Sequence, residues 1–109
     1  MPETIPQKFE SVSVVPKANV YFDGKVVSHS VFMPNGQKKS IGLIYPGSFK
    51  FNTDGPEVMQ MTAGGARVKL AGESEWKTYG AGTSFRVAGK SHFEIAVDSG
   101  IAEYICTFE

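Results

Sequence analysis

The sequence predicts an all-β protein whose strands form a single-domain antiparallel β-barrel or jelly roll. Twelve glycines and eight phenylalanines accompany frequent valine and isoleucine, a composition typical of sheets joined by tight turns. Short runs of alternating polar and apolar residues are separated by turn pairs, and no stretch keeps a helical period over a useful length. A chain of 109 residues holds one core, so we predict one domain.

The N-terminal part of the chain is predicted to form hairpins. Residues 1–17 contain three prolines and are interpreted as an arm, either loose or paired as an edge strand, which could pack on a partner subunit. The barrel domain is then 18–109. Asp23-Gly24 and Asn35-Gly36 are strong hairpin turns. The strands predicted around them are 18–22, 25–33 and 41–45.

The C-terminal part contains two similar arrangements of a corner between short strands. In the first, a strand from Gly47 to Thr53 is broken at Asp54-Gly55-Pro56 and resumes at 57–61. In the second, a corner at 80–82 precedes a short strand, a turn and another strand. The remaining strands are predicted at 66–70, 75–79, 92–97 and 101–108. The total is about eight to ten strands at a spacing typical of barrels.

Charge and cysteine content exclude several classes of partner. Eleven basic and eleven acidic residues balance, so no overall field attracts nucleic acid or an anionic membrane surface. No apolar run approaches the ~20 residues of a membrane span. The single cysteine, Cys106, cannot form an intrachain disulfide and is consistent with a reducing compartment. We therefore expect a cytoplasmic protein without nucleic-acid or membrane partners.

The two corners resemble the two motifs of the cupin (RmlC-like) barrel. Gly47 followed by Glu57 and Gly64 resembles the first motif, and Gly82 followed by His92 resembles the second. Metal-binding cupins take two histidines and a glutamate from the first motif and a histidine from the second. Here no histidine lies between Gly47 and Glu57, and the other histidine, His29, is outside the motif. A transition metal needs three or more such ligands, so we predict no bound metal.

A longer series of motifs resembles the pyrimidine/purine nucleoside phosphorylase family, which consists of small cupin-fold proteins. The similarity extends from about residue 18 to residue 108. Ala88 stands where the family usually has proline, and His92 stands where it often has a carboxylate. The motifs, in order, are Tyr21-Phe22-Asp23-Gly24-Lys25-Val26, Ser40-Ile41-Gly42, Pro46-Gly47-Ser48-Phe49-Lys50-Phe51-Asn52-Thr53, Pro56-Glu57-Val58-Met59, Tyr79-Gly80-Ala81-Gly82-Thr83-Ser84-Phe85 and Val87-Ala88-Gly89-Lys90-Ser91-His92-Phe93.

The resemblance implies a pentosyltransferase that cleaves purine and pyrimidine nucleosides by phosphorolysis. The products would be a free base and pentose 1-phosphate, inorganic phosphate would be the co-substrate, and no cofactor or metal would be needed. A homodimer through edge strands is implied as well. Two alternatives stay open: a non-catalytic module that binds a sugar or nucleotide, and a metal-dependent cupin enzyme with atypical ligands.

Phosphate requires cations or convergent N–H groups. The candidates are Lys38, Lys39, Arg86 and Lys90. Arg86 is favoured because it shares a strand face with Ser84, whereas the intervening Phe85 and the following Val87 are expected to face the core.

The remaining site predictions follow from the needs of the sugar and the base. Glu57 should point into the barrel, and Glu94 should share a strand face with His92, so carboxylates could hold the pentose or move a proton. Aromatic side chains could stack on the base, and few base-specific hydrogen bonds would give broad specificity. The predicted catalytic residues are Glu57, His92 and Arg86, and the predicted substrate-binding residues are Tyr45, Phe51, Thr53, Glu94, Tyr104 and Lys39.

Overall fold

The computed structural model describes residues 4–109 as eleven β-strands and one short 3-10 helix. All strand pairs are antiparallel, so the all-β prediction is confirmed. The helix is Phe22–Gly24. The strands are β1 (Ser13–Val14), β2 (Asn19–Tyr21), β3 (Val26–Phe32), β4 (Lys38–Ile44), β5 (Gly47–Asn52), β6 (Glu57–Ala63), β7 (Gly65–Leu70), β8 (Lys77–Gly80), β9 (Ser84–Val87), β10 (His92–Val97) and β11 (Ala102–Phe108).

The strands form two sheets that pack face to face as a jelly roll. The large sheet has seven strands in the order β1-β3-β4-β11-β6-β9, with β2 also paired to β3. The small sheet has four strands in the order β5-β10-β7-β8. Within the described residues the two hydrogen-bonded ladders stay separate, so the predicted cupin-like jelly roll has the form of a sandwich open at its edges rather than a closed barrel.

The core is made by the inward-facing residues of both sheets. In β10, Phe93 and Ile95 are almost fully buried, and they pack with Val68 of the small sheet and with Met59 and Met61 of the large sheet. This pattern follows from the period of two along a strand, which directs every second side chain to the same face. The same alternation decides which polar side chains enter the space between the sheets.

Two hairpin turns are confirmed where the sequence predicts them. Asp23 and Gly24 both have positive φ, 55° and 88°, in the turn between β2 and β3. Gly36 has φ of 90° in the β3–β4 turn, where the Asn35 side chain accepts a hydrogen bond from the Gln37 N–H at 2.9 Å. Both turns use the left-handed backbone that Gly and Asn or Asp tolerate best.

The N-terminal segment is partly strand and partly a cover on the large sheet. β1 pairs with β3, so an edge strand lies within the predicted arm. Residues 4–9 line a groove on the outer face of the large sheet together with Ile41 and Ile105. Packing of the arm on a partner subunit stays a prediction, and residues 1–3 lie outside the described residues. No helix among residues 4–109 is long and apolar enough to cross a membrane.

Candidate active site

A cavity of about 340 Å³ lies between the two sheets at one end of the sandwich. Its two sides differ in chemistry. On one side lie aromatic rings of the small sheet and of Tyr21, with Asn52 and Asp54 beside them. On the other side the large sheet contributes hydroxyl, amide, thiol and charged groups, together with the Phe108 ring. We call the first side the aromatic wall (Tyr21, Phe51 and Phe93) and the second the polar floor (Asn19, Ser28, Ser30, Lys38, Ser40, Glu57, Tyr104 and Cys106).

The polar floor exists because small side chains align across three neighbouring strands. Ser30 of β3 is paired with Ser40 of β4, which is paired with Cys106 of β11. All three side chains line the cavity, and Ser40 and Cys106 are only 6% and 4% exposed. Larger residues at this rung would fill the space between the sheets, so the register of three short side chains determines the depth of the cavity.

Tyr104 crosses the next rung because the residue beneath it has no side chain. Tyr104 of β11 is paired with Gly42 of β4, which is paired with Ser28 of β3. A Cβ atom on Gly42 would lie 2.6 Å from the Tyr104 ring and hydroxyl oxygen. The ring therefore lies over β4, and its hydroxyl points towards Ser28. Burial raises the pKa of Tyr104 above its ordinary value, an effect that the hydrogen bond with Ser28 partly opposes.

Asn19 continues this polar row on β2. Its Nδ2 atom donates to the Oγ atoms of Ser28 and Ser30, both at 3.4 Å. These are long contacts for N–H···O hydrogen bonds. Ser28, Ser30 and Asn19 therefore have hydrogen-bonding capacity that a sugar or an anion in the cavity could use.

Glu57 brings a half-buried carboxyl group to the cavity. The Cys106 thiol donates a hydrogen bond to its Oε1 at 3.4 Å. Burial raises the pKa of Glu57, the hydrogen bond from Cys106 acts in the opposite direction, and the negative charge of Asp54 raises it further. Burial and the adjacent Glu57 raise the pKa of the Cys106 thiol, which therefore stays protonated as a donor near neutral pH. The arrangement can hold a hydroxyl group or exchange a proton with a ligand.

The aromatic wall consists of two stacked rings and a third ring that meets them edge-on. The rings of Phe51 and Phe93 are stacked, with centroids 5.5 Å apart and planes inclined by 22°. Tyr21 meets Phe51 edge-on at 6.4 Å. Each of the two stacked rings covers one face of the other, and Phe93 is only 3% exposed, so a planar heterocycle would contact the half-buried Phe51 ring, whatever its hydrogen-bonding edge.

The sequence matches the model of the pyrimidine/purine nucleoside phosphorylase family over residues 16–108. The chain belongs to this family. A relative from Dechloromonas aromatica, named pyrimidine/purine nucleoside phosphorylase, is 57% identical over 93% of this chain and 97% of its own length. A relative of the same name from Methylobacillus flagellatus is 52% identical over 94% of this chain and 98% of its own length.

Solved structures agree with the fold. A DUF1255 protein of unknown function from Acinetobacter sp. ADP1 has a TM-score of 0.91 and is 40% identical, covering 94% of this chain and 98% of its own. Oxalate decarboxylase of Bacillus subtilis, a cupin protein, has a TM-score of 0.73 at 17% identity. That match covers 99% of this chain but 32% of the decarboxylase chain, and it supports the fold alone.

Three of the nine predicted site residues line the cavity between the two sheets. Glu57 faces into it from β6, as expected from its place in the first motif, and Phe51 and Tyr104 line opposite sides. Lys38, one of the candidates for phosphate, lines the cavity as well. The structure brings these groups together, whereas their roles in catalysis stay predictions.

His92 and Glu94 lie on the other side of the small sheet. Because Phe93 and Ile95 face the core, the alternation of β10 places His92 and Glu94 on its outer face. Glu94 forms an ion pair with Lys69 at 3.4 Å on that face. The two residues share a strand face, as predicted, but they do not share a cavity with Glu57.

The other predicted residues are engaged elsewhere. Arg86 is on the outer face of β9, with Phe85 and Val87 facing the core as expected, and its guanidinium forms an ion pair with Glu109. The Thr53 hydroxyl donates to the Ala88 carbonyl at 2.7 Å and accepts from the Ser91 N–H at 3.0 Å. Tyr45, Lys39 and Lys90 are also absent from the cavity lining. The expectation that these side chains form one site with Glu57 is therefore not met by the geometry.

Sequence reasoning missed most of the polar floor. Asn19, Ser28, Ser30, Ser40 and Cys106 were not predicted as site residues, although all of them line the cavity. A signal was present for two of them, because alternation along β3 places Ser28 and Ser30 on the face of the buried Val26.

The donor set does not fit a cupin metal centre. Among residues 4–109, no three His, Cys, Asp or Glu side chains are grouped so that they could hold a metal ion. The second-motif residue His92, which would supply a ligand in a metal-binding cupin, is on the outer face of the small sheet. Metal independence of the reaction itself stays a prediction.

Proposed function

We propose that this protein cleaves purine and pyrimidine nucleosides by phosphorolysis, yielding the free base and pentose 1-phosphate. Family membership supports a nucleoside phosphorylase. The observation that carries the proposal is the contrast between the two sides of the cavity. An aromatic wall suits a base, and the polar floor opposite it suits a pentose and an anion.

The base would stack on the aromatic wall. The half-buried Phe51 ring offers a surface that purines and pyrimidines can both contact, Phe93 supports it from behind, and Tyr21 closes one side. Few hydrogen-bonding groups on this wall read the base edge, so the site discriminates weakly between bases. The pentose would lie over the polar floor, where Tyr104, Ser28 and Asn19 can bond its hydroxyls.

In the proposed reaction, an oxygen of dihydrogen phosphate donates an electron pair to the anomeric carbon of the nucleoside. The bond between that carbon and the base nitrogen breaks, and the nitrogen keeps the bonding pair. The base nitrogen takes a proton, which Glu57 donates as a carboxylic acid and regains from solvent, while the dihydrogen phosphate ester that forms releases one proton to solvent. Atoms and charge therefore balance without a further reactant. The transition state resembles an oxocarbenium ion, so positioning and charge stabilisation dominate.

An assay of base release tests this function. Purified protein is incubated with uridine, inosine or adenosine and excess phosphate, and base and pentose 1-phosphate are separated by chromatography. We expect both products in equal amounts, no release without phosphate, and no effect of a metal chelator. Folded protein that releases no base from any of the three nucleosides would contradict the proposal. Activity that a chelator abolishes and an added metal restores would contradict metal independence.

The finer expectations belong to the same proposal. A homodimer formed through edge strands would double the mass of one chain, and sedimentation equilibrium measures this directly. A cytoplasmic location agrees with the balanced charge and the single buried cysteine, and cell fractionation would measure it.

A further inference from the structure

Resting on the proposed phosphorolysis, we propose that phosphate binds on the β3–β4 side of the polar floor. Lys38 and the hydroxyls of Ser30 and Ser40 form this phosphate subsite. The assignment replaces Arg86 and Lys39, the residues that the sequence favours, with a lysine that faces the cavity.

Lys38 brings a positive charge to the cavity. Lys38 is the only lysine or arginine among the described residues that line the cavity. It takes part in none of the ion pairs found among residues 4–109, and its ammonium lies 5.0 Å from the centre of the exposed Phe108 ring. Lys39, on the opposite face of β4, donates to Thr107 at 3.1 Å, and Arg86 is paired with Glu109. Among the described residues, Lys38 is therefore the cation that lines the cavity and is paired with no carboxylate.

Hydrogen-bond donors lie beside Lys38 in the cavity. Ser40 is two residues from Lys38 on the same face of β4, about 7 Å away along the strand. Ser30 is paired with Ser40 across the strands. Its Oγ atom accepts a long hydrogen bond, 3.4 Å, from Asn19 Nδ2. An ammonium group with neighbouring hydroxyl and amide groups can neutralise a phosphate and satisfy several of its oxygens.

The proposed subsite also agrees with the direction from which phosphate would attack the anomeric carbon. Displacement at the anomeric carbon places the incoming phosphate and the departing base on opposite faces of the pentose. The subsite is on the large sheet, and Phe51 and Phe93, which would hold the base, are on the small sheet across the cavity. The two sheets therefore hold the reacting groups on opposite sides of the sugar.

Lys38 is well separated from the Glu57 carboxyl group. Lys38 precedes Lys39, which is paired with Thr107, so it lies beside Phe108, and Phe108 is paired with Glu57. Two strand spacings, about 10 Å, therefore separate the backbones of Lys38 and Glu57. The Phe108 side chain lines the cavity between them, and the separation weakens repulsion between phosphate and an ionised Glu57.

Steady-state kinetics of three lysine variants test the subsite. Lys38→Met removes the charge in the cavity, and we expect the KM for phosphate to rise about tenfold or more while the KM for the nucleoside changes little. Lys38→Arg should recover most of the phosphate affinity because it keeps the charge. Lys50→Met, on the outer face of the small sheet, is the matched control and should leave both constants unchanged. Circular dichroism confirms that each variant is folded.

The rival assignment has its own variants. If Lys39→Met or Arg86→Met raises the KM for phosphate and Lys38→Met does not, the subsite is overturned although phosphorolysis stands.

Calorimetry with inorganic phosphate alone separates failure of the subsite from failure of the function. If the wild type cleaves no nucleoside but binds phosphate, and Lys38→Met does not, the subsite stands without the proposed reaction. If the wild type neither cleaves nucleosides nor binds phosphate, both proposals are overturned. Phosphate binding by Lys38→Met equal to that of the wild type overturns the subsite alone.

Discussion

Single side chains determine what the cavity can do. Ser30, Ser40 and Cys106 leave space because they are small, and Glu57 supplies a carboxyl group that is only partly accessible to water. The Cys106 thiol donates to that carboxyl group without competing for its proton, since burial keeps the thiol protonated. In the proposed reaction, Glu57 is therefore the group that exchanges a proton with the ligand.

Replacing Glu57 by glutamine tests its protonation. Because burial raises the pKa of Glu57, the folded protein binds this proton more tightly than the unfolded chain does. The resulting stability is fully present below the ordinary pKa of 4.5 and is lost as the pH rises through the raised value. We expect the melting temperature of the wild type to fall relative to that of Glu57→Gln as the pH rises above 4.5 and through the raised pKa.

Scanning calorimetry of both proteins at each pH measures this difference. Parallel curves would show that the pKa of Glu57 is the same in the folded and unfolded states. The same variant tests catalysis, since loss of a positioned proton donor should lower kcat by about 100-fold or more. An unchanged kcat would remove Glu57 from the proposed mechanism.

Some of these residues were predictable from the sequence and others were not. Glu57 follows from its place in the first motif, and Phe51 from the alternation of β5. His92 was assigned to the site by the second motif, although the apolar Phe93 and Ile95 already indicate that His92 faces outward. The period of two, which places His92 and Phe93 on opposite faces of β10, describes this strand correctly.

At the scale of elements, the cavity depends on how β11 crosses β4. Tyr104 lies over the bare backbone of Gly42, which is the reason its hydroxyl can approach Ser28 on the third strand. A residue larger than glycine in β4 would push the ring into the cavity or out of register.

Alanine at Gly42 should therefore be destabilising. Its Cβ atom would lie 2.6 Å from the Tyr104 ring, and overpacking of this kind costs about 1–3 kcal/mol. Gly80→Ala is the matched control, because Gly80 is also a strand glycine and its Cβ atom would meet nothing within 4 Å. Urea unfolding measures both variants. Equal free energies of unfolding for Gly42→Ala and Gly80→Ala would contradict the role given to Gly42.

Local elements were easier to predict than their partners. The turns at Asp23-Gly24 and Asn35-Gly36 depend on residues within the turn itself, so the sequence signal is sufficient. The order β4-β11-β6 joins segments that are distant along the chain, and nothing local specifies it. The rung of Ser30, Ser40 and Cys106 is a product of that order, which is why most of the polar floor was not predicted.

At the scale of the whole molecule, two sheets of different composition enclose one mixed cavity. The chain has no net charge, so an anion would be attracted locally, and Lys38 is the cation in the described part of the chain that faces the cavity. The outer surfaces carry the paired charges Arg86–Glu109 and Lys69–Glu94. We therefore propose that the nucleoside and phosphate bind between the sheets rather than on these surfaces.

A crystal structure of the protein with hypoxanthine and inorganic phosphate tests this placement most directly, because the pair lacks the pentose and cannot react. We predict that the base stacks on Phe51 and that a phosphate oxygen lies within about 3.2 Å of the Lys38 Nζ atom. Both ligands bound at the outer surface near Arg86 or His92, with the space between the sheets free of either, would contradict the account.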